Sequence, residues 1–240
     1  MSEKVTKILS SREIADGTRE FHLERPQDFN YEAGQTIDLT LIDPVDMDAE
    51  GPVRTFSLVS APHEKDLVFA TRMRDTAFKR SIRDFKAGMK LTWDGPYGSF
   101  TLHKNATKPA VFLAGGIGIT PFMSIIKHAV HERLPHEMYL FHSNNRPEDS
   151  PFFDELTAID RSTPNFHFIP TMTAMDKSAQ SWSGETGFIT AEMIQRQVGD
   201  ISKPVYYLAG PPGFVTAMRN MLKKAGADED NIRFEEFPGY

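Results

Sequence analysis

A stretch of closely spaced glycines, LAGGIGITP at residues 113–121, is the part of this 240-residue chain best suited to hold a phosphate. Glycines directly after an apolar run let the backbone approach a ligand. Thr120 and Pro121 suit the first turn of a helix, whose free N–H groups attract anions. Gly116 and Gly118 form a Gly-x-Gly pair, but Pro121 stands where the dinucleotide-binding fingerprint has its third glycine. We expect a phosphate-binding turn here, with a turn that only packs a strand against a helix as the alternative.

A second glycine stretch, YYLAGPPG at residues 206–213, repeats the order of apolar run, glycine and helix signal. Gly210 leaves space where a flat ring could lie, and Pro211 stiffens the turn that follows. An ordinary connection between a strand and a helix is the alternative, and for this stretch taken alone it is the commoner outcome.

A third stretch, Arg54 to Ser57, combines an arginine, an aromatic ring and hydroxyl groups on one predicted strand. Alternation places Arg54 and Phe56 on one face and Thr55 and Ser57 on the other. An arginine suits a phosphate, an aromatic ring suits a heterocycle, and a hydroxyl suits a ring heteroatom. A half-buried edge strand without a ligand is the alternative.

The elements that must position these residues differ between the two halves of the chain. Up to about residue 102, apolar and polar residues alternate in short runs separated by turn signals, and a helix near 76–85 interrupts them. Short strands with little room for crossover helices predict an antiparallel barrel or sandwich. The predicted strands are 18–23, 35–41, 55–59, 67–71 and 90–93.

From residue 109 onward, predicted strands alternate with helices, which is typical of a parallel α/β sheet with a nucleotide-sized crevice at its carboxyl edge. The polar segment 103–108 is the predicted linker. The predicted strands are 110–114, 138–142, 166–169, 205–209 and 232–235, and the predicted helices are 120–131, 152–159, 191–197 and 214–224.

Taken together, these three stretches resemble the ferredoxin–NADP reductase superfamily. The family's flavin motif, Arg-x-Tyr/Phe-Ser, matches Arg54, Phe56 and Ser57. Its pyridine-nucleotide motif, Gly-Gly-x-Gly-x-Thr-Pro, matches Gly115 to Pro121, and its later Gly-Pro motif matches Gly210 and Pro211. The segment 95–100 is similar to the one that closes the family's barrel, so the resemblance covers nearly the whole chain.

The resemblance implies a two-domain protein: residues 1–102 form an antiparallel β-barrel domain that binds FAD, and residues 109–240 form a parallel-sheet α/β domain that binds NADPH or NADH. Hydride passes from the nucleotide to the flavin, and FAD is favoured over FMN because stand-alone reductases of the family mostly carry FAD. The implied flavin-binding residues are Arg54, Thr55, Phe56, Ser57, Thr71, Thr76, Ala77, Phe78 and Tyr240. The implied nucleotide-binding residues are Gly115, Gly116, Gly118, Thr120, Pro121, Ser143, Arg146, Gly210 and Pro211.

Within that set, the resemblance gives individual roles. Arg54 neutralises flavin phosphate, Phe56 packs near the ring system, and Ser57 hydrogen-bonds close to the reactive edge of the flavin. Ala77 and its neighbour Phe78 would hold the pyrophosphate at the start of a helix that Thr76 caps. An ordinary capped helix is the alternative.

The last residue, Tyr240, matches an aromatic residue that stacks on the flavin in many family members, and with Ser57 it completes the predicted catalytic pair. A frayed tail is the alternative. For the nucleotide, Ser143 and Arg146 could receive the 2′-phosphate of NADPH, but Arg146 could instead pair with Glu148 or Asp149.

The electron acceptor predicted by the resemblance is a separate protein such as ferredoxin or flavodoxin. Basic residues at helical spacing, Lys79, Arg80, Arg83 and Lys86, could dock an acidic partner. A solvated charged face is the alternative for these residues. For the whole chain, the alternatives are a free-flavin or ferric reductase, or an electron-transfer subunit of a larger complex.

Composition excludes several other chemistries. The chain has no cysteine, so disulfides, thiolate-held iron–sulfur clusters and a cysteine nucleophile are excluded. Histidines on the predicted helix 120–131 have no obvious further ligand beside them, and no metal site is predicted. A net charge of -6 argues against general affinity for nucleic acid. Without an apolar run of membrane-spanning length or a signal-like N-terminus, the predicted location is the cytoplasm.

Overall fold

The structure is a computed structural model and describes residues 4–238. The chain divides into two compact units. One contains the described residues up to Thr101 together with Thr120–His128, and the other contains Leu102–Ile119 and the described residues from Ala129 onward. Tyr240 lies outside the described residues, so its predicted stacking stays a prediction.

The first unit is built on six strands, β1 (Val5–Ala15), β2 (Thr18–Leu23), β3 (Thr36–Leu41), β4 (Val53–Ser57), β5 (Leu67–Arg72) and β6 (Lys90–Tyr97). They form one antiparallel sheet in the order β4-β3-β6-β1-β2-β5. A bridge between Leu58 and Phe69 joins the residue after β4 to β5, the opposite edge strand. The sheet therefore curls into a half-barrel.

Aromatic side chains fill the interior of this half-barrel. The Phe69 ring stacks on Phe21 at a centroid distance of 5.0 Å and lies 4.4 Å from the ring of Phe56. Phe78, from helix α1 (Ala77–Arg83), packs 5.7 Å from Phe56. The alternating pattern of the strands thus places large rings inward and positions β4 over the start of α1.

The second unit is built on strands β7 (Ala110–Gly115), β8 (Met138–Asn144), β9 (Phe166–Met172), β10 (Glu185–Thr186), β11 (Val205–Gly210) and β12 (Ile232–Glu236). All are parallel, in the order β10-β9-β8-β7-β11-β12. Every residue of β7 and β11 is buried, as expected of central parallel strands. The remaining helices are α2 (Thr120–His131), α3 (Phe153–Ser162), α4 (Ala191–Val198) and α5 (Pro212–Lys224).

The predicted fold class is confirmed: an antiparallel half-barrel is followed by a parallel α/β sheet. The sequence did not predict β1, the longest strand. Its pairing with β2 shifts register between Ile8 and Ser10 and again between Glu13 and Ala15, so these irregularities break the period-two pattern that marks a strand.

The direction in which strands are added to the parallel sheet reverses between β7 and β11. Strands β8, β9 and β10 follow one another on one side of β7, and the chain then crosses to the other side of β7 to form β11 and β12. In open α/β sheets, ligands bind beyond the carboxyl ends of the strands at such a switch point. Both glycine stretches lie there. Among residues 4–238, no helix is long and apolar enough to cross a membrane.

Candidate functional site

The first glycine stretch forms a tight connection between β7 and α2. Gly115 ends β7, a 3₁₀ turn covers Gly116–Ile119, and α2 begins at Thr120 with Pro121 as its second residue. Gly116 has φ +53°, and a Cβ there would meet no heavy atom of the described chain within 4 Å, its chain neighbours aside. The turn therefore needs glycine for its conformation and is open on one side, as a phosphate-binding turn requires.

The second glycine stretch packs directly against the first. A Cβ on Gly118 would overlap the backbone carbonyl of Ala209, and one on Gly210 would lie 3.1 Å from the Gly115 carbonyl oxygen. Gly210 has φ +153°, and Pro211 precedes the first residue of α5. The two predicted glycine motifs thus form one backbone surface at the switch point.

His142, which no sequence motif marks, contacts this surface through the Gly116 carbonyl. Its side chain is fully buried on β8, and its Nε2 lies 2.9 Å from the Gly116 carbonyl oxygen. Burial lowers its pKa to about 4, despite the opposing hydrogen bond to Gly116. The ring is therefore neutral at pH 7, with its proton on Nε2 donated to the glycine turn.

The residues predicted to receive a 2′-phosphate lie beside the same strand ends. Ser143 is half-buried and pairs in register with Gly115. Arg146 donates from Nε and Nη2 to the two carboxylate oxygens of Asp149, each at 2.8 Å. The ion pair that the sequence left open as an alternative is therefore present, and Arg146 gives no specific support for NADPH.

On the flavin side, the most informative atom is the hydroxyl of Ser57 at the end of β4. The residue is 6% exposed, and its Oγ has no hydrogen-bond partner within the described part of the chain. A buried hydroxyl without a partner is unfavourable. Ser57 thus fits a ligand whose ring carries a hydrogen-bonding heteroatom, which is the fit expected for a flavin.

Arg54, three residues earlier, is held by the loop that precedes β4. Its Nη2 lies 2.9 Å from Asp48 Oδ1 and 2.8 Å from Glu50 Oε2. Its Nη1 donates to the carbonyl oxygens of Gly51 and Val53 at 2.8 and 2.7 Å. The guanidinium is in place for an anion, but carboxylates of the chain itself contact it.

The other residues predicted for flavin binding differ in exposure. Phe56 and Phe78 are core residues, and Thr71 is fully buried. Thr55 is exposed and donates its hydroxyl to Asp38.

At the start of α1, Thr76 Oγ1 accepts the Lys79 N–H at 3.4 Å, which makes it the predicted N-cap. The Ala77 N–H donates to Asp48 Oδ2 at 3.0 Å.

Helix α1 does not present the row of free basic residues that its sequence suggests. Lys79 is only 6% exposed, and burial lowers its pKa to about 8. Arg80 contacts both Asp46 and Asp75, with Nε 2.9 Å from Asp46 Oδ2. Two of the four basic residues thus give no support for docking an acidic partner, because Lys79 is buried and Arg80 is paired with acidic neighbours, and the docking role stays a prediction.

A second residue that the sequence did not reveal is Glu235 on β12. It pairs in register with Ala209, next to Gly210, and its Oε2 is buried with no partner among the described residues. Burial raises the pKa of this carboxyl to about 7. Its neighbour Phe237 donates its N–H to the Gly210 carbonyl at 2.9 Å. No spacing signal marks Glu235, because its burial is a property of the assembled sheet.

Comparison with known proteins agrees with this arrangement. Residues 112–220 match the model of the oxidoreductase NAD-binding domain. The chain is 26% identical to the glycine betaine monooxygenase reductase subunit of Chromohalobacter salexigens over 220 residues, which covers 90% of this chain and 59% of that subunit. It is 26% identical to ferredoxin–NADP reductase B of Sorangium cellulosum over 243 residues, which covers 96% of both proteins.

Among solved structures, the fold is similar to that of a Neisseria gonorrhoeae ferredoxin NADP+ reductase with bound FAD and NADP. The TM-score is 0.81 at 22% identity, and the match covers 98% of this chain and 99% of that one. The chain spans less than two thirds of the Chromohalobacter subunit but nearly all of the Sorangium and Neisseria reductases. Together with the half-barrel and the glycine turn, these matches show an oxidoreductase NAD-binding domain over residues 112–220 and, over nearly the whole chain, the two-domain fold of ferredoxin–NADP reductases.

Proposed function

We propose that this chain accepts hydride from NAD(P)H on FAD and passes electrons to a separate acceptor protein such as ferredoxin or flavodoxin. The observation that carries the flavin part is the buried hydroxyl of Ser57, which lacks a partner within residues 4–238 and lies on the same strand as Arg54. When bound, FAD accepts two electrons together and releases them singly. The protein's part is to bind, orient and exclude water.

We assign residues 1–102 to flavin binding and residues 109–240 to nucleotide binding. Arg54 would bind flavin phosphate, and Ser57 would donate to the reactive edge of the ring. Thr76, Ala77 and Phe78 at the start of α1 support the same assignment, since the Ala77 N–H already binds one anionic group, the Asp48 carboxylate, beside the Thr76 cap. The roles of Thr55, Phe56, Thr71 and Tyr240 stay predictions.

For the nucleotide, the open face at Gly116 suits a pyrophosphate, and α2 begins four residues later at Thr120, with Pro121 in its first turn. Gly210 and Pro211 would border the nicotinamide. NADPH is our preference over NADH only through Ser143, because Arg146 is paired with Asp149. The cytoplasmic location also stays a prediction.

A second candidate function has support from one comparison. The glycine betaine monooxygenase reductase subunit is a component of an oxygenase by name, and 90% of this chain aligns with it. On this proposal, the chain would deliver electrons to an oxygenase component. The alternative of a free-flavin or ferric reductase differs from both, because flavin would then be a substrate that leaves the protein.

The absorption spectrum of the purified protein tests the core of the proposal. A yellow protein whose flavin bands bleach on anaerobic addition of NADPH or NADH supports it, and the rate with each nucleotide gives the preference. A protein that binds no flavin when FAD is added overturns it. Reduction of ferredoxin or flavodoxin, compared with that of ferricyanide, then tests the acceptor.

A further inference from the structure

The loop before β4 places two carboxylates on the arginine that the proposed function assigns to flavin phosphate. Asp48 Oδ1 lies 2.9 Å and Glu50 Oε2 lies 2.8 Å from Arg54 Nη2. Arg54 is well enclosed, with 16% of its side chain exposed, whereas Glu50 is largely exposed. Both carboxylates therefore contact the same guanidinium nitrogen of Arg54.

Asp48 also contacts the second group assigned to the phosphates. Its Oδ2 accepts the Ala77 N–H at 3.0 Å, while its Oδ1 accepts from Arg54. One carboxylate thus bridges a guanidinium and a helix N–H, as a phosphate with two oxygens would. Although partial desolvation opposes the shift, the hydrogen bonds from Arg54 and Ala77 lower the pKa of Asp48, so it is charged at pH 7.

We propose that Asp48, assisted by Glu50, competes with the phosphate groups of the flavin for Arg54 and so lowers the affinity of the chain for FAD. This inference rests on the proposed function, which assigns Arg54 to flavin phosphate. A phosphate and the Asp48 carboxylate cannot occupy the same donors, and their like charges repel. Flavin binding must therefore displace the loop, and the returning carboxylate favours release.

The competition concerns phosphate and not the isoalloxazine ring. It weakens binding of FAD and FMN, which carry phosphate, and leaves binding of riboflavin unchanged. A flavin that exchanges readily would also let the chain act on free flavin. Asp48 is thus a residue that sets how firmly the cofactor is retained.

The experiment compares flavin binding by the apoprotein of wild type, Asp48→Asn, Glu50→Gln and Asp46→Asn, measured by quenching of flavin fluorescence. Asparagine keeps the shape and an acceptor oxygen at position 48 but removes the charge. We expect Asp48→Asn to lower the Kd for FAD and FMN about three- to tenfold, with a smaller effect of Glu50→Gln. Asp46→Asn is the matched control, since Asp46 pairs with Arg80. Its Kd for FAD should equal that of wild type.

Unchanged or weaker FAD binding by Asp48→Asn overturns the inference, as does an equal gain for riboflavin or for the Asp46 control. Arg54→Gln separates this failure from failure of the proposed function. If Arg54→Gln weakens FAD binding while Asp48→Asn does not strengthen it, the phosphate site stands and the competition is rejected. If Arg54→Gln binds FAD as wild type does, the assignment of Arg54 is itself wrong, and the inference is rejected with it.

Discussion

The two predicted binding regions of this chain are made from different parts of the polypeptide. The nucleotide region is a backbone surface, in which Gly118 and Ala209 touch and Gly116 faces open space. The flavin region is made of side chains, with Ser57 lacking a partner among the described residues and Arg54 held by the preceding loop. A backbone surface is already formed before the ligand arrives, whereas the flavin region must exchange internal contacts for ligand contacts.

This difference predicts that substitutions in the two regions act on different quantities. At the glycine turn, a change in backbone packing alters stability and nucleotide binding together. At β4, a side-chain change can leave stability intact, or improve it, while it impairs the flavin reaction. Three substitutions test this separation.

The largest effect is expected from Gly118→Ala. The added Cβ would overlap the carbonyl of Ala209, which is backbone of the buried strand β11, and Gly118 is itself buried in the 3₁₀ turn, so neither can move cheaply. We expect the free energy of unfolding to fall by about 3 kcal/mol, with loss of nucleotide binding. Urea unfolding measures the first effect, and titration with the nucleotide measures the second.

Gly213→Ala is the matched control, because a Cβ on this helical glycine meets no heavy atom of the described residues within 4 Å. It should leave stability unchanged or raise it by about 0.5–1 kcal/mol. Equal destabilisation by both substitutions would show that the close approach of Gly118 to Ala209 is not the reason that an added Cβ destabilises the protein.

The glycine turn and helix α1 show what the sequence could and could not predict. The turn around Gly116 was predictable because its requirements are local: an apolar run, glycines for the backbone and Thr120 and Pro121 to start a helix. The burial of Lys79 on α1 was not predictable from helical spacing, since it depends on how the helix docks on the sheet.

The partners of Arg54 were hidden for a related reason. Asp48 lies six residues before Arg54 in a loop without periodicity. Nothing in the sequence distinguishes a loop carboxylate that contacts Arg54 from one that is exposed to solvent. The same holds for His142 and Glu235, whose importance comes from burial beside a turn made elsewhere in the chain. Strand β1 was missed because its register shifts erase the pattern.

An intermediate effect is expected from His142→Phe, which removes the donor beneath the glycine turn but keeps a buried ring. Loss of one hydrogen bond to the Gly116 carbonyl should raise the nucleotide Kd about fivefold and leave the Kd for FAD unchanged. A nucleotide Kd equal to that of wild type would show that the bond does not position the turn.

The same substitution should change the pH dependence of stability. The folded-state pKa of His142 is about 4, below its ordinary value of 6.5, so the unfolded chain binds a proton first as the pH falls. Stability from this group is therefore complete well above pH 6.5 and declines toward pH 4, by about 2–3 kcal/mol at pH 4.5. Between pH 7 and pH 4.5, the free energy of unfolding of wild type should therefore fall by this amount more than that of His142→Phe.

Glu235 titrates with the opposite sign, because its pKa is raised to about 7 from 4.5 and its contribution is lost as the pH rises through that range. It is present in both proteins, so the difference between wild type and His142→Phe isolates the histidine. Parallel stability profiles of the two proteins between pH 7 and 4.5 would contradict the prediction.

The smallest effect on stability, and the one that separates the two regions most clearly, is expected from Ser57→Ala. Removal of a buried hydroxyl without a partner in the described chain should raise the stability of the apoprotein by up to about 1 kcal/mol. If the hydroxyl donates to the flavin, the same change should slow flavin reduction by NAD(P)H about tenfold, which stopped-flow absorbance measures.

Ser60→Ala provides the comparison within the same unit. Ser60 is fully buried, and its Oγ accepts from the Tyr31 hydroxyl and the Val68 N–H, each at 3.0 Å. Its replacement removes the side-chain acceptor of the Val68 N–H, while the Tyr31 hydroxyl keeps the Ser60 carbonyl oxygen at 2.9 Å, and it should lower stability by about 1 kcal/mol. Opposite signs for Ser57 and Ser60 mean that the unpartnered hydroxyl is kept at the expense of stability, as expected of a group that serves a ligand. A loss of stability at both positions would place Ser57 among the ordinary structural serines of the half-barrel.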